Sequence, residues 1–488
     1  MSQKVYDRSL DWDFDYTTSK PVPRIAWVLC WLMFASTILN YMDRQAVSVV
    51  SEKLRGEFGI SFEQFGWVIA AFQLSYAFFQ VPAGYLADRL NIRWAYAGAV
   101  LWWSLAAIAV AWSPTFGVLL ACRAVLGLGE AFNWPCALKV TARVLPPSDR
   151  GLGNGIFNSG AAVGAVLTPL VVTPLTLWFG WRWAFAAIGA CGLVWVFVWL
   201  AFTRRLDGSP AKSGDPSGHA ASSLAPFAVW LVGSIAVGVW SYGRYGLSSL
   251  TWSIGGLMVG WLVLARVMPT ERLSGHSFTA GMGRVVRLGR FWVMCVVSIS
   301  INVCWHFLVN WLPTYLKEDR GLEFVTGSLL SALPFLAADL GNLGGGAAAR
   351  ELASGGRSPA RARWLVLLVC VFAISSGATV GWISSTPVTL VVLGIMAFGT
   401  AAFMANYFAF CQEVSERDTG LIVGVLGGIG NLFAGAFAPI AGRIRDQSGG
   451  FGPVFVLVGL LPFAGLLMLL VGWWSEITGR RAEASEAE

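Results

Sequence analysis

Long apolar runs alternate with short polar connections along nearly the whole chain. Each run comes close to, or exceeds, the ~20 residues a helix needs to cross the hydrocarbon of a bilayer. Runs at 24–42, 62–87, 93–112, 115–143, 151–178 and 182–203 form a first set. Runs at 291–315, 325–350, 364–383, 387–412, 418–442 and 452–474 form a second. Two more apolar segments, 225–242 and 250–268, lie between them. The pattern predicts an all-α polytopic membrane protein with two six-helix bundles, 24–203 and 291–474. Residues 204–290 then form a central linker that carries the extra pair, and 1–23 and 475–488 are tails.

The two sets resemble each other in places. A glycine-studded run begins after Arg150 and ends at Pro169; a similar one follows Arg417 and ends at Pro439. Small residues four apart (Gly151/Gly155, Gly160/Gly164, Gly420/Gly424) let membrane helices approach closely. Two similar halves with a site near the midplane are a transporter plan. Gly-rich membrane helices can also look alike with no such history.

Composition agrees with the pattern. Hydrophobic residues make up 56% of the chain and charged ones 12%, against about 25% charged in soluble domains. The net charge of +7 does not signal nucleic acid, because no continuous basic stripe exists. The basic residues cluster in alternate loops: Arg89/Arg93, Arg143/Arg150, Arg204/Arg205, Arg284/Arg287/Arg290, Arg357/Arg361/Arg363 and Arg480/Arg481. The positive-inside rule makes that side cytoplasmic, with both termini on it. Lys317/Arg320 and Arg443/Arg445 break the rule, and each pair has acidic neighbours (Glu318, Asp319; Asp446). The acidic start of the chain lacks the basic region of a secretory signal. The eight Cys show neither metal nor disulfide spacing.

Ionisable residues inside a span cost at least ~2.5 kcal/mol at the bilayer centre and are functional by default. The first run ends Asn40-Tyr41-Met42-Asp43-Arg44, and the fourth carries Arg123 and Glu130. Seven residues are close to two turns, so Arg123 and Glu130 share a helix face. Arginine forks match a carboxylate, and two carboxylates near movable positive charge can take up and release protons. That kit suits an organic anion moved with protons. Equally, the pairs could only neutralise each other and lock helices. Tyr76, Asn158 and Asn406 could bond the hydroxyls of a sugar-like solute or a neighbouring helix. Asn302, His306 and Asn310 recur every four residues as one stripe, where His306 is either a proton site or a satisfied neutral ring. The turn Gly84-Tyr85-Leu86-Ala87-Asp88-Arg89, followed by Arg93, places an acid and arginines at a helix end and suits a gate.

GYLADRLNIR resembles the signature loop of the major facilitator superfamily. NYMDR, GLGEAFNWPCALK, DRGLGNGIFNSGAAVGA and residues 334–363 resemble its anion:cation symporter family, in the bacterial hexuronate and sugar-acid branch. The similarity covers all but the tails and 204–290. It implies a major facilitator fold and proton-coupled import of an organic anion, most simply a hexuronate or related sugar acid. Asp43 and Glu130 match the proton-coupling acids; Arg44 and Arg123 match the arginines; Tyr41 and Tyr76 match substrate-side tyrosines; Asn406 and Tyr407 fall where relatives contact substrate. Gly84, Asp88, Arg89 and Arg93 match the gating loop. Ala161 departs from a Gln of some galactonate-type members, and the extra pair departs from the usual twelve helices.

The expected protein is therefore not an enzyme, since no HExxH or GxSxG occurs. It needs no metal or cofactor beyond the proton, partners a small organic anion and the lipid bilayer, binds no nucleic acid and works as a monomer. Another organic anion (a dicarboxylate, an aromatic acid beside Phe132 and Trp134, or phosphate) and a non-transporting sensor remain alternatives.

Overall fold

A computed structural model describes residues 23–145, 150–204, 278–414 and 419–474. The segments 225–242 and 250–268, Arg417 and the two tails apart from Pro23 lie outside the described residues. No strand occurs among the described residues, which are almost wholly helical. Hydrocarbon offers no partner to a peptide N–H or C=O, so a spanning segment must bond its backbone internally, as a helix does.

The helices are α1 (Arg24–Val49), α2 (Ser51–Phe58), α3 (Phe62–Arg89), α4 (Ile92–Ala111), α5 (Phe116–Glu130), α6 (Asn133–Val144), α7 (Arg150–Phe179) and α8 (Trp181–Arg204). They continue as α9 (Phe278–Val285), α10 (Gly289–Glu318), α11 (Phe324–Leu330), α12 (Ala332–Ser354), α13 (Pro359–Ser375), α14 (Thr386–Val414), α15 (Thr419–Ser448) and α16 (Gly452–Gly472). Among the described residues, 11 stretches are long and apolar enough to cross a membrane. The predicted run at 62–87 folds as the 28-residue α3 but is not one of those 11, its apolarity diluted by Gln64, Gln73 and Gln80.

Several expected boundaries shift. The run 115–143 breaks between α5 and α6, where Ala131 and Phe132 form a tight turn on the carbonyls of Gly127 and Gly129. Pro135 then falls in the first turn of α6, where a missing N–H leaves no helical bond unmade. The run 325–350 breaks at Ser331 in the same way, with Pro334 in the first turn of α12. Residues 376–382 close the run 364–383 as a 3-10 turn. The stretch 269–290, expected as linker, contains the helix α9, and α10 starts at Gly289. Local signals set other ends: Asn91 caps α4 by accepting from Arg93 N at 3.0 Å, and Ser358 with Pro359 opens α13.

The described residues gather into two compact units. One takes in those of Met1–Asp43, Phe78–Gly164 and Phe185–Glu271. Within it, α1 meets α7 through glycine. A Cβ on Gly160 would lie 2.5 Å from the Phe34 carbonyl, and one on Gly164 would lie 2.8 Å from the Ile38 carbonyl and 2.9 Å from Tyr41 Cβ. Trp195 Nε1 donates to the Leu32 carbonyl at 2.7 Å and holds α8 against α1.

The other unit takes in those of Arg44–Ala77, Ala165–Ala184 and Arg272–Glu488. Here the close approach is α12 on α14, where a Cβ on Gly345 would lie 2.7 Å from Ala402 Cβ. Ser298 Oγ donates to the Leu426 carbonyl at 2.7 Å, tying α10 to α15. The expected pairing of small residues is thus corrected in part: among the described residues nothing lies within 4 Å of a Cβ built on Gly155 or Gly424, whereas Gly160 and Gly164 do meet a neighbouring helix. Period-four glycine alone does not tell which face meets a neighbour.

Gly164→Val should force α1 and α7 apart and cost about 1–3 kcal/mol, the usual penalty of overpacking. Gly155→Ala, with open space around it, should be neutral or stabilising by up to about 1 kcal/mol from helix propensity. Thermal melting of the two purified variants in detergent distinguishes these outcomes, and equal midpoints would contradict the α1–α7 contact.

Candidate functional site

In the first unit the charged residues of the spans are deeply enclosed. Asp43 and Arg123 are each 1% exposed and Glu130 is 0% exposed. Arg123 Nη1 donates to the main-chain carbonyl of Asp43 at 3.3 Å, which ties α5 to α1. Seven-residue spacing puts Glu130 on the same face of α5 as Arg123. Gly129 lets that helix lie close to α4, since a Cβ there would meet Trp102 and Trp103. α5 thus brings Arg123 to Asp43 of α1, with Glu130 two turns further along the same face of α5. Tyr41 is half-buried two residues before Asp43 on α1, its Cβ against Gly164. Asn158 stands exposed on α7.

Beside this cluster lies a polar network that the sequence reading missed. Ser36 Oγ and the Tyr96 hydroxyl are 2.6 Å apart, and Tyr96 donates to Asn133 Oδ1 at 2.9 Å. Asn133 Nδ2 reaches Thr37 Oγ1 at 3.4 Å. All four side chains are fully buried, so α1, α4 and α6 are pinned by bonds that hydrocarbon cannot replace. Asn133 lies in the quoted motif GEAFNWP; its polarity inside an apolar run was the available signal.

The gating residues behave unequally. Gly84, Asp88 and Arg89 fall in the last turns of α3. Arg93 is buried in the first turn of α4, with Nη2 donating to the Leu200 carbonyl at 3.3 Å and its own carbonyl accepting from Trp199 Nε1 at 3.0 Å. A missed residue does the capping. Lys139 Nζ on α6 donates to the carbonyls of Ala87 and Leu90. A cation on unsatisfied C-terminal carbonyls also complements the helix dipole. A lysine inside the predicted span 115–143 was the clue.

The second unit holds Arg44, whose guanidinium stands 4.3 Å above the ring of Tyr76 and 5.2 Å from that of Phe72. Phe72 and Tyr76 stack at 6.0 Å. Such stacking steadies a cation. Asn406 is buried, and its Nδ2 donates to the carbonyls of Gly345 at 3.1 Å and Ala402 at 3.0 Å, pinning α14 to α12. Tyr407 is buried against Phe408, with ring centroids 5.2 Å apart. Asp339 is a further carboxylate within a span, half-buried on α12, which no expectation covered.

The same unit explains the two exceptions to the charge rule. Arg55 Nη1 pairs with Glu318 at 2.6 Å. Arg445 pairs with Asp319 at 3.2 Å. Asp446 accepts from the backbone N–H groups of Phe62 at 3.1 Å and Glu63 at 2.8 Å and so caps α3. Asp319 accepts from Phe451 N at 2.6 Å and caps α16. Phe62 lies between two guanidiniums, Arg55 at 3.4 Å and Arg445 at 4.3 Å. Thr314 Oγ1 donates to Ser51 Oγ at 2.8 Å, and Lys317 Nζ donates to the Val49 carbonyl. Burial pushes the Asp319 carboxyl above its usual value, against the opposing pull of Phe451 N–H and Arg445. These charges are a fastening between residues 49–63 and the ends of α10 and α15. The sequence marked them as anomalies without revealing their partners.

Comparison with known proteins identifies the family. Residues 33–439 match the Major Facilitator Superfamily. A D-galactonate transporter of Escherichia coli O6:H1 is 25% identical over 90% of this chain and 94% of its own length. A probable galactarate/D-glucarate transporter of Bacillus subtilis is 25% identical over 92% of each chain. The hexuronate transporter of Escherichia coli K12 is 22% identical over 92% of this chain and 94% of its own. Among solved structures, a bacterial homologue of the lysosomal transporter Spinster, inward-facing and unoccupied, superposes with a TM-score of 0.65 at 18% identity, covering 95% of this chain and 98% of that one. A peptide transporter complexed with alafosfalin gives 0.68 at 16% identity, covering 96% and 97%. At such identities the two structures speak for the fold alone.

Asp446→Ala removes the acceptor from the first turn of α3 and should cost about 1 kcal/mol, as cap deletions do. A cysteine introduced at Thr314 in a cysteine-free background should then react faster with a membrane-impermeant maleimide. Unchanged labelling would mean that the fastening does not guard this end of the spans.

Proposed function

We propose that this chain, which belongs to the major facilitator superfamily, is a proton-coupled symporter that imports an organic anion, most simply a hexuronate or related sugar acid. The observation that carries the proposal is the enclosure of Asp43, Arg123 and Glu130 on α1 and α5. Three ionisable side chains at 0–1% exposure are an expensive arrangement in a membrane span and call for a function. Curated relatives that carry sugar acids over nine-tenths of the same length support the substrate class.

In this reading Asp43 and Glu130 take the proton, and no cofactor is needed. Arg44 and Arg123 serve the substrate carboxylate, one steadied by Tyr76 and the other tethered to α1. Tyr41, Tyr76, Asn158 and Tyr407 serve its hydroxyl-bearing body. Asn406, its donor engaged with two carbonyls, fixes α14 for that purpose. Two six-helix halves, 24–203 and 291–474, alternate access. Lys139 with Gly84, Asp88, Arg89 and Arg93 works at the cytoplasmic end, and the Arg55/Glu318 and Arg445/Asp319 pairs work at the outer end. Partly exposed pairs are worth about 1 kcal/mol or less apiece, which suits contacts that break in every cycle. The protein lies in the inner membrane as a monomer with both termini in the cytoplasm.

A second reading, transport of a smaller acidic anion, draws on a relative described as a probable sulfoacetate transporter of Cupriavidus necator, 25% identical over 91% of this chain. An aromatic acid is less favoured: Phe132 packs on Phe79 at 5.7 Å and Trp134 on Phe157 at 5.2 Å.

Liposomes with an inward proton gradient should accumulate labelled glucuronate or galacturonate, and a protonophore should collapse the accumulation. Arg44→Ala should lose uptake by at least tenfold. Glu130→Gln should lose gradient-driven accumulation and keep anion exchange. Normal accumulation by Glu130→Gln would remove the coupling role from that residue.

A further inference from the structure

We infer that His306 is a specificity residue, an acceptor for a hydroxyl of the same substrate whose carboxylate Arg44 holds. The inference rests on the sugar-acid reading above and deepens it. His306 Nδ1 lies 2.9 Å from the carbonyl of Asn302, one turn earlier on α10. A carbonyl can only accept, so Nδ1 carries the hydrogen of the neutral ring and Nε2 is left as an acceptor. Nε2 has no hydrogen-bond partner among the described residues, and the ring is half-buried.

The turn of α10 that carries this carbonyl is itself tied to a neighbouring helix. Asn302 Nδ2 donates to the Ser298 carbonyl at 2.9 Å and to Ser298 Oγ at 3.3 Å. Ser298 Oγ donates in turn to the Leu426 carbonyl on α15. Gly430 of α15 leaves room for this ladder, since a Cβ there would lie 2.6 Å from Asn302 Cγ. The bond to the Asn302 carbonyl fixes the tautomer and the direction of the ring, as a recognition group requires. The Arg44 guanidinium, stacked on Tyr76, belongs to the same unit as His306. A cation for a carboxylate and a neutral acceptor in one unit match the two ends of a hydroxy acid.

The chemistry predicts discrimination, because a site that bonds a hydroxyl rejects an analogue lacking it far more strongly than an apolar site does. The test uses reconstituted full-length protein, labelled glucuronate as substrate and cyclohexanecarboxylate, a ring acid without hydroxyls, as competitor. His306→Leu should raise the glucuronate KM at least tenfold with kcat within about threefold of wild type. Inhibition by cyclohexanecarboxylate should hold or strengthen. His306→Gln, whose amide oxygen can reach the position of Nε2, should recover a large part of the loss and serves as the folded control. If wild type transports glucuronate and His306→Leu keeps its KM, or loses both ligands equally, the role of His306 is overturned while the transport reading stands. If folded wild type neither transports nor binds glucuronate, the sugar-acid reading fails, and this inference with it.

Discussion

Hydrocarbon solvates neither charge nor peptide, and every unusual feature of this chain follows from that. Asp43, Arg123 and Glu130 can exist in membrane helices only because protein surrounds them. The surround depends on distance: Gly160 and Gly164 bring α7 onto α1, and Gly129 brings α5 onto α4. Side chains at those glycines would open the seams beside the charges. The polar network of Ser36, Thr37, Tyr96 and Asn133 acts in the same direction, because its bonds have no aqueous substitute once the helices separate. Charge and glycine are one design here, the first supplying chemistry and the second its housing.

Helix ends obey the same constraint. The first N–H groups and last carbonyls of a helix lack internal partners, and in this chain side chains from distant segments supply several. Asp446 caps the start of α3, Lys139 caps its end, and Asp319 caps the start of α16. Each sign matches the dipole at the end it meets. Caps of this kind suit a moving protein, since water can take over the freed groups at the membrane surface at modest cost. A latch made by burying apolar surface would hold more firmly and release less readily.

The fold was readable because span length and loop charge are set by the bilayer, not by tertiary detail. The charged residues were readable for a similar reason: an Asp or Arg in an apolar run has few innocent explanations. What escaped was pairing. Arg445 and Asp446 were visible as violations of the charge rule, but their partners lie near Asp319 and Phe62, far off in sequence. The split of 115–143 escaped because the turn at Ala131 and Phe132 uses no turn-forming residue, and only Pro135 just after it hinted at a new start. Gly155 and Gly160 are indistinguishable in a string of letters, yet one faces open space and the other a carbonyl. Asn406 looked like a ligand for substrate and is bonded to two backbone carbonyls, a choice that depends on where α12 lies.

The polar groups of the spans divide by kind along the chain. Asp43, Arg44, Arg123 and Glu130 come from α1 and α5, whereas α10 presents a neutral ladder of Ser298, Asn302 and His306. Charge binds strongly and at a distance but distinguishes poorly among anions; neutral donors and acceptors bind weakly and only in register. An acid bearing hydroxyls offers both kinds of handle. On the sugar-acid reading proposed above, the charges serve the carboxylate and α10 the hydroxyls, two kinds of contact that reject different analogues.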